Sequence, residues 1–259
     1  MKSHRKRPLE DHYIDPHTCS IELRLEILQR APFFEGLSKV QLGEINSYFR
    51  ESGFSQGERI YFEGDPAKRL YAIATGRVKL TRVTQAGKTI LLDILVPGEF
   101  FGSLAVDAYD EYPETAEALT DTCILSIGAD EFQRIMLLHP SVAVKVMLAL
   151  SERLKKAHET VRQLSAYPVE KRIAHALLQL GAKLGERQEL GLLIQAPFSR
   201  EDLADMTGTT TETASRVISQ FQRDGLVVTG RQWIAITGWD DLSSLLDMDL
   251  LPGLKSSKG

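Results

Sequence analysis

Apolar residues first recur at helical spacing and then change to the pattern of short strands. Residues 21–29 and the segment that follows them to residue 49 predict short helices that are broken at Gly36. From about Phe54 to Ile127, glycines and prolines separate short segments rich in β-branched and aromatic residues. Many short strands at this spacing predict a small sandwich or barrel, with a hairpin turn at Gln85-Ala86-Gly87.

The pattern becomes helical again after Gly128, and residues 140–164 carry a narrow apolar seam. Its members alternate at spacings of four and three residues: Ala143, Met147, Leu150, Leu154, Ala157, Val161 and Leu164. This heptad seam is typical of two helices that pack along their length, here over roughly 37 Å. Charged flanks favour a dimer coiled coil over the alternative, which is one amphipathic helix packed on its own barrel. We expect Pro168 to end the helix and to act as a hinge.

The C-terminal part predicts a helix, a linker over residues 186–197, two short helices and a hairpin. Ser199 and Asp202 have the spacing of a capping box, and Gly208 suits a tight turn between the two short helices. Thr210 can cap the second of them. The buried stripe of that helix is predicted to consist of Ala214, Val217, Ile218 and Phe221. Two helices, a glycine turn and two short strands around a Thr-Gly-Arg turn predict a winged helix-turn-helix.

Residue types on the other face of the second helix suit DNA. Arginine can pair with guanine through two hydrogen bonds, glutamate can accept from the cytosine amino group, and hydroxyls and helix N-termini suit phosphates. The predicted DNA-contacting residues are Ser199, Arg200, Thr210, Thr211, Glu212, Ser215, Arg216, Gln220 and Arg231. Glu212 and Arg216 are also four residues apart, so an exposed intrahelical ion pair is the alternative interpretation of those two.

The charge of the chain limits how it can bind DNA. The net charge is −4, and residues 165–238 contain eight basic and eight acidic residues. DNA affinity must therefore come from the placement of a few arginines and from helix N-termini rather than from a strongly cationic surface. The sequence has no apolar run of about 18 residues and no secretory pattern at its N-terminus, so we expect a cytoplasmic protein without a membrane partner.

Three stretches of the sequence resemble the CRP/FNR family of bacterial transcription regulators. Two lie in the predicted barrel, YAIATGRVKL at Tyr71–Leu80 and GEFFGSLA at Gly98–Ala105, and the third runs from Ser199 to Val227. Within the third, residues 212–216 (ETASR) match the E-x-x-S-R of the FNR-type branch. The resemblance implies an α+β fold with an N-terminal cyclic-nucleotide-binding-like β-barrel (a jelly roll), a long dimerisation helix and a C-terminal winged helix-turn-helix.

The expected organisation has five segments. They are a flexible arm (1–20), a sensor barrel (21–138), a dimerisation helix (139–166), a winged helix-turn-helix domain (167–240) and a C-terminal tail (241–259). The resemblance implies a homodimeric regulator, more often an activator in this family, whose partners are double-stranded DNA, a second copy of the chain and RNA polymerase. It also implies that Glu212, Ser215 and Arg216 read an inverted repeat with TTGA-like half-sites.

The effector pocket is where the sequence departs from the cyclic-AMP-binding members of the family. By resemblance, the pocket comprises Gly102, Ser103, Leu104, Glu114, Thr115, Ala157 and His158. Ser103 stands where those members have a glutamate that holds the ribose, and Glu114 stands where they have an arginine that binds the phosphate. A carboxylate facing a phosphodiester is repulsive. Ala157 and His158 replace paired hydroxyls that touch adenine, so the sequence argues against cyclic AMP.

The cysteines and histidines bear on other cofactors. Only Cys19 lies near the N-terminus, so the cysteine cluster of an oxygen-sensing iron–sulfur centre is missing, and we predict no metal site. Haem stays open because His139, His158 and His175 are present, although a lone histidine on a helix is more often structural. Cys19 could pair between subunits, whereas Cys123 is expected in the core. The effector is therefore unidentified: a small molecule other than cyclic AMP, a redox or haem signal, or none.

The residues also bear on two other classes of function. A ligand-binding regulatory module that acts on another protein is the alternative, but it would not need residues 199–238. The sequence has no glycine-rich phosphate loop with a lysine, no metal-spaced cluster and no nucleophile motif, so neither an enzyme nor catalytic residues are predicted.

Overall fold

The computed structural model describes residues 19–85, 87–103 and 110–246, which form two compact units. The N-terminal unit contains the described residues up to 160, and the C-terminal unit contains those from 161 onward. Leu104 of the predicted pocket, together with most of the predicted arm and tail, lies outside the described residues. The described residues form two sheets in the N-terminal unit and one in the C-terminal unit, and each unit has its own buried core.

Capped helices open the N-terminal unit. They are α1 (Ile21–Arg30) and α2 (Lys39–Asn46), with a 3-10 turn between them (Pro32–Phe34). Ser20 caps α1 through its side chain, and Ser38 and Gln41 form a capping box at α2. Gly36 lies between the 3-10 turn and α2 with a φ of 80°, a conformation that favours glycine. The predicted break at Gly36 is confirmed.

Eight strands of the described residues form two four-stranded antiparallel sheets. They are β1 (Arg50–Phe54), β2 (Arg59–Tyr61), β3 (Arg69–Thr75), β4 (Val78–Val83), β5 (Thr89–Leu95), β6 (Phe100–Gly102), β7 (Thr115–Ala118) and β8 (Thr122–Gly128). The strand orders are β1–β8–β3–β6 and β2–β7–β4–β5. Val83 lies opposite Thr89 in the predicted hairpin of β4 and β5, whose turn residue Ala86 is outside the described residues. The predicted β-rich fold of this region is confirmed.

Buried side chains of this unit fall into two groups. One group takes residues from both sheets, with Phe101, Ile73 and Ile124 fully buried. The other joins the N-terminal helices to β3, β8 and the helices after β8, and it includes Phe34 and Phe132. Alternation along β3 and β8 therefore places one face of these strands between the sheets and the other against the helices.

Two helices follow β8 directly, α3 (Ala129–Leu138) and α4 (Pro140–Ala166). α4 has 27 residues and confirms the predicted long helix. At 1.5 Å per residue it is about 40 Å long. In the part of the chain that is described, no single helix is long and apolar enough to cross a membrane, although α3 and α4 pass that test as a pair bent by 117°.

The C-terminal unit contains four helices and one four-stranded sheet among its described residues. After the end of α4 come α5 (Val169–Leu184), β9 (Gly185–Gln188), β10 (Gly191–Ile194), α6 (Arg200–Met206), α7 (Thr211–Arg223), β11 (Val227–Gly230), β12 (Trp233–Ile236) and α8 (Trp239–Ser244). The prediction of a linker over residues 186–197 is wrong, because β9 and β10 form a hairpin there. β10 also pairs with β12, so the predicted wing, β11 and β12, is half of a sheet with the order β11–β12–β10–β9.

The pairing of Cys19 and the start of the predicted tail differ from expectation. Cys19 and Cys123 form a disulfide within one chain, which corrects the idea that Cys19 pairs between subunits. The placement of Cys123 in the core is confirmed by its exposure of 1%. Leu242 and Leu246 are buried, so packing continues beyond residue 240, where the tail was expected to start.

Candidate nucleic-acid interface and effector site

The first helix of the helix-turn-helix is held at both ends by side-chain hydrogen bonds. At its start, the Ser199 hydroxyl accepts from the Asp202 amide at 3.1 Å and the Asp202 carboxylate accepts from the Ser199 amide. This is the predicted capping box, in which the Ser199 side chain makes an intramolecular hydrogen bond. At the other end, the buried Thr207 hydroxyl donates to the Leu203 carbonyl at 2.7 Å. Leu203 itself is fully buried, so α6 is fastened to the core.

The turn between α6 and α7 depends on Gly208. Its φ is +60°, which side-chain-bearing residues adopt at a cost. Nη1 of Arg172, on α5, approaches the Gly208 carbonyl at 3.4 Å. The turn predicted from the glycine is therefore present, and a contact from α5 that the sequence did not indicate supports it.

α7 has a buried stripe and an exposed polar face. The Thr210 hydroxyl caps it by accepting from the Thr213 amide. Ala214, Ile218 and Phe221 are fully buried, while Val217 is partly buried. On the other face, the side chains of Thr211, Glu212, Arg216 and Gln220 are exposed and that of Ser215 is half-buried. The structure thus places these five predicted residues on one helix, on the side away from its buried stripe.

Besides the capping residues Ser199 and Thr210, two more of the predicted DNA-contacting residues have partners in the chain. Nη2 of Arg200 donates to Oγ1 of Thr229 on β11 at 3.0 Å, and burial lowers the pKa of the guanidinium. The Gln220 amide donates to both carboxylate oxygens of Asp224 at 2.8 and 2.9 Å. Arg200 therefore joins the start of α6 to the wing, a positioning role that its sequence context did not reveal. Arg231 is exposed in the turn between the wing strands.

The seam of α4 is exposed in the single chain. Met147, Leu150, Leu154 and Val161 are 63%, 60%, 57% and 62% exposed, and Leu164 is 44% exposed. Ala157 is exposed and Ala143 is partly buried. Apolar side chains in a continuous row at heptad spacing are the feature that a second helix covers in a coiled coil.

Glu114, in the predicted effector pocket, is engaged by a tyrosine. The Tyr61 hydroxyl donates to Oε1 of Glu114 at 3.1 Å, and the two residues are only 4% and 8% exposed. Burial, and then the charge of Glu114, raises the pKa of Tyr61 well above its usual value, so the phenol remains a hydrogen-bond donor. The Tyr61 ring stacks on Tyr112 with centroids 3.9 Å apart and on Tyr71 at 5.5 Å. A buried acidic group fixed by a tyrosine is a poor site for a phosphate.

The other predicted pocket residues lie in different surroundings. The Thr115 hydroxyl accepts from the Glu63 amide at 3.0 Å, and Gly102 pairs with Leu70 in the sheet. Ser103 is half-buried, while Ala157 and His158 are exposed on α4. Beside Tyr61 lies an open cavity of about 340 Å³, lined by Ile60, Tyr61, Asp65, Pro66, Lys68, Arg69, Tyr71 and Tyr112. This tyrosine-lined cavity was not anticipated, because its residues are dispersed along the sequence.

The histidines considered for haem do not cluster. Nε2 of the buried His175 lies 3.0 Å from the Gln163 side-chain amide, and Nδ1 of His139 lies 3.5 Å from that of Gln41. Within the described residues, no three His, Cys, Asp or Glu side chains are placed to hold a metal ion.

Comparison with known proteins assigns both units to recognised domains. Residues 52–139 match the cyclic nucleotide-binding domain, and residues 171–245 match the Crp-like helix-turn-helix domain. The first match covers most of the barrel strands, and the second covers α5 through α8.

Individual relatives show the same relationship along most of the chain. A cyclic AMP receptor protein of Thermus thermophilus is 32% identical over 203 residues, which is 78% of this chain and 91% of the relative. The transcriptional activator protein FnrA of Stutzerimonas stutzeri is 27% identical over 172 residues, 66% of this chain and 70% of the relative. Among solved structures, FixK2 from Bradyrhizobium japonicum is similar with a TM-score of 0.67 at 26% identity, covering 76% of this chain and 96% of FixK2.

These likenesses agree with the order of elements in the structure, a cyclic-nucleotide-binding-type barrel, a long helix and a helix-turn-helix domain. With a relative 32% identical over most of its length, the chain belongs to the CRP/FNR family of DNA-binding transcription regulators.

Proposed function

We propose that this protein is a homodimeric, sequence-specific transcription regulator that activates transcription from TTGA-like inverted repeats. Its partners are double-stranded DNA, a second copy of the chain and RNA polymerase, and it acts in the cytoplasm. The observation that carries the proposal is the helix-turn-helix with an exposed polar face on α7. A regulatory module that acts only on another protein has no use for such a domain, and the family assignment argues against an enzyme.

Base reading is assigned to α7. Glu212 and Arg216 are exposed, and both lie in the first half of the helix, which begins at the Thr210 cap. N-terminal residues of a recognition helix are those that reach base edges in the major groove. Ser199, Arg200, Thr210, Thr211, Ser215, Gln220 and Arg231 complete the proposed set. Of these, we assign Arg200 to holding the wing, because Thr229 already accepts from it.

Dimerisation is assigned to the seam on α4. Its exposed leucines, methionine and valine repeat at the spacing that two copies of one helix would share. Since each subunit has one recognition helix, a dimer would present two of them to an inverted repeat, with half-sites about one helical turn apart. The proposed dimer and the proposed operator symmetry therefore support each other.

The effector is proposed not to be cyclic AMP, although a relative of this chain is named a cyclic AMP receptor protein. The Glu114 carboxylate is buried, and one of its oxygens already accepts a hydrogen bond from the Tyr61 hydroxyl. A cyclic phosphodiester placed there would be repelled by the Glu114 carboxylate. These pocket residues therefore favour regulation by a different ligand, by a redox signal or by protein abundance over regulation by cyclic AMP.

Fluorescence anisotropy of the ligand-free protein tests DNA reading. A duplex with a TTGA-type inverted repeat is compared with a scrambled duplex at about 150 mM salt, because phosphate contacts are salt-dependent. Arg216→Ala should weaken binding to the repeat by about 1–3 kcal/mol and relax preference at one base pair. Arg187→Ala is the matched control, since Arg187 is exposed on β9, at the sheet edge opposite the wing strand β11. Equal losses on both duplexes would contradict base reading.

Sedimentation tests the dimer separately from DNA. Leu154→Glu places a charge in the seam and should shift the protein from dimer to monomer. Leu148→Glu makes the same change at a residue that is 64% exposed on the same helix but outside the seam, and it should leave the dimer intact. A wild-type protein that sediments as a monomer at micromolar concentration would contradict the assignment.

A further inference from the structure

The only two cysteines of the chain are brought together although they are 104 positions apart in sequence. Cys19 precedes the cap of α1, and Cys123 is the second residue of β8. Their Cα atoms are 6.6 Å apart, within the range that a disulfide spans, and the sulfurs are bonded. The disulfide thus fastens the start of α1 to a strand inside the sheet β1–β8–β3–β6.

The disulfide belongs to the core that also anchors α4. Both cysteines are members of the buried group that contains Phe34 and Val142, the latter in the first turn of α4. One turn later, the Lys145 ammonium contacts the backbone carbonyl of Glu35. The N-terminal segment that the disulfide holds therefore packs against the base of the helix to which dimerisation is assigned.

We propose that Cys19 and Cys123 form a reversible thiol–disulfide site through which small disulfides and thiols regulate DNA binding. The regulatory part rests on the proposed function. Permanent disulfides are rare in the cytoplasm, where those that form are mostly transient and redox-sensing. A disulfide in a regulator proposed to act there is therefore better explained as a sensor than as a permanent crosslink.

Exchange chemistry balances with a small disulfide such as oxidised glutathione. The Cys19 thiolate attacks one sulfur of the small disulfide, forms a mixed disulfide and releases one thiolate. The Cys123 thiolate then attacks Sγ of Cys19 and displaces the second small thiolate, which closes the protein disulfide. Two cysteine thiols lose two electrons and two protons, and one small disulfide becomes two small thiols. Cys19 is assigned the first step because it is 7% exposed and Cys123 is 1% exposed.

Reduction leaves the fold in place because α1 has other attachments. The Arg24 guanidinium donates to the side chain and backbone of Asn46 at 2.9 and 3.2 Å and to the Phe49 carbonyl at 2.8 Å. Ile27 and Leu28 remain buried in the same core. Loss of the disulfide should therefore loosen the N-terminal end of α1 and leave the rest of the unit folded, as reversible regulation requires.

Thiol trapping of the full-length protein tests the site without DNA. The native protein is equilibrated in mixtures of reduced and oxidised glutathione and quenched in acid. It is then alkylated in denaturant, so that the buried Cys123 reacts, and examined by mass spectrometry and non-reducing gel. As the share of oxidised glutathione rises, we expect both cysteines to become protected from alkylation together. The change should be reversible, and no covalent dimer should form. Cys19→Ser should keep one alkylatable thiol in every mixture. Free thiols in all mixtures, a covalent dimer as the oxidised product, or a disulfide that native reduction does not open would each overturn the proposal.

Two further measurements test the consequence. Hydrogen exchange at the start of α1 should be faster in the reduced than in the oxidised protein, whereas exchange in α5 should be unchanged. Because a looser base of α4 is less preorganised for a dimer, reduction should weaken binding to the inverted repeat at least threefold, and Cys19→Ser should not respond. Equal affinities in both states would overturn regulation. If neither the oxidised nor the reduced protein prefers the repeat, the proposed function is contradicted. Thiol trapping and hydrogen exchange would still show whether the disulfide forms reversibly.

Discussion

The buried hydrogen bond between Tyr61 and Glu114 should contribute measurably to the stability of the N-terminal unit. Tyr61→Phe removes only the hydroxyl and keeps the ring that stacks on Tyr112. It leaves the Glu114 carboxylate, in a residue only 8% exposed, without its tyrosine donor. A hydrogen bond to a charged group contributes about 1.5–3 kcal/mol, so the free energy of unfolding should fall by about 2 kcal/mol.

A double-mutant cycle separates this bond from general disturbance of the core. Glu114→Met removes the acceptor and keeps a side chain of similar length. In the Glu114→Met background, the loss of unfolding free energy caused by Tyr61→Phe should be about 1.5–3 kcal/mol smaller than in the wild type. Tyr112→Phe is the matched control, because its hydroxyl bonds to the backbone of Arg69 at 3.0 Å. Its cost should be the same in both backgrounds.

Urea unfolding followed by far-ultraviolet circular dichroism provides the assay. For an m value of about 2 kcal/mol/M, the loss corresponds to a midpoint about 1 M lower. Tryptophan fluorescence reports on the other unit, because Trp233 and Trp239 are the chain's two tryptophans and both lie in the C-terminal unit. A coupling free energy below about 0.5 kcal/mol would refute the view that the hydroxyl and the carboxylate stabilise each other.

Three other outcomes follow from the described geometry. In urea melts, Gly76→Ala should lower the free energy of unfolding by more than Gly57→Ala does. Both glycines have positive φ. A Cβ at Gly76 would lie 2.7 Å from the Thr122 Cα, whereas no atom would lie within 4 Å of a Cβ at Gly57. The open position should cost about 1–2 kcal/mol from backbone strain alone, and equal losses would argue against a clash at Gly76. Thr229→Val removes the acceptor of Arg200, so anisotropy should show weaker DNA binding with little loss of stability, about 1 kcal/mol; unchanged affinity would argue against a role for the wing. Isothermal titration calorimetry should detect no saturable heat from cyclic AMP, and a stoichiometric isotherm would contradict the assignment of the pocket.

Local patterns made much of the fold predictable. The seam of α4 and the buried stripe of α7 repeat at helical spacing, and the capping box at Ser199 and the turn at Gly208 depend on residues a few positions apart. Each is determined by neighbours along the chain, so the sequence alone indicates it. The exposed face of α7 follows directly, because the buried stripe defines its opposite side.

Long-range pairing was not predictable in the same way. Tyr61 and Glu114 are 53 positions apart, and their contact exists only once β2 and the segment before β7 are brought together. The sequence predicts a linker in place of the hairpin of β9 and β10 because residues 185–190 are mainly charged or small and lack β-branched side chains. Pairing of β10 with β12 stabilises that hairpin, which is a tertiary effect that overrides local preference.

The shared sheet of the C-terminal unit has a practical consequence for labelling the protein. β12 lies between β11 and β10, so the wing belongs to the same sheet as β9 at the far edge. The turn between β9 and β10 includes Leu190, which is 42% exposed. A fluorophore attached at residue 190 would be carried by that sheet without occupying the face of α7. Energy transfer between dyes at this position in the two subunits of the proposed dimer would then report the separation of their helix-turn-helix domains while DNA is bound.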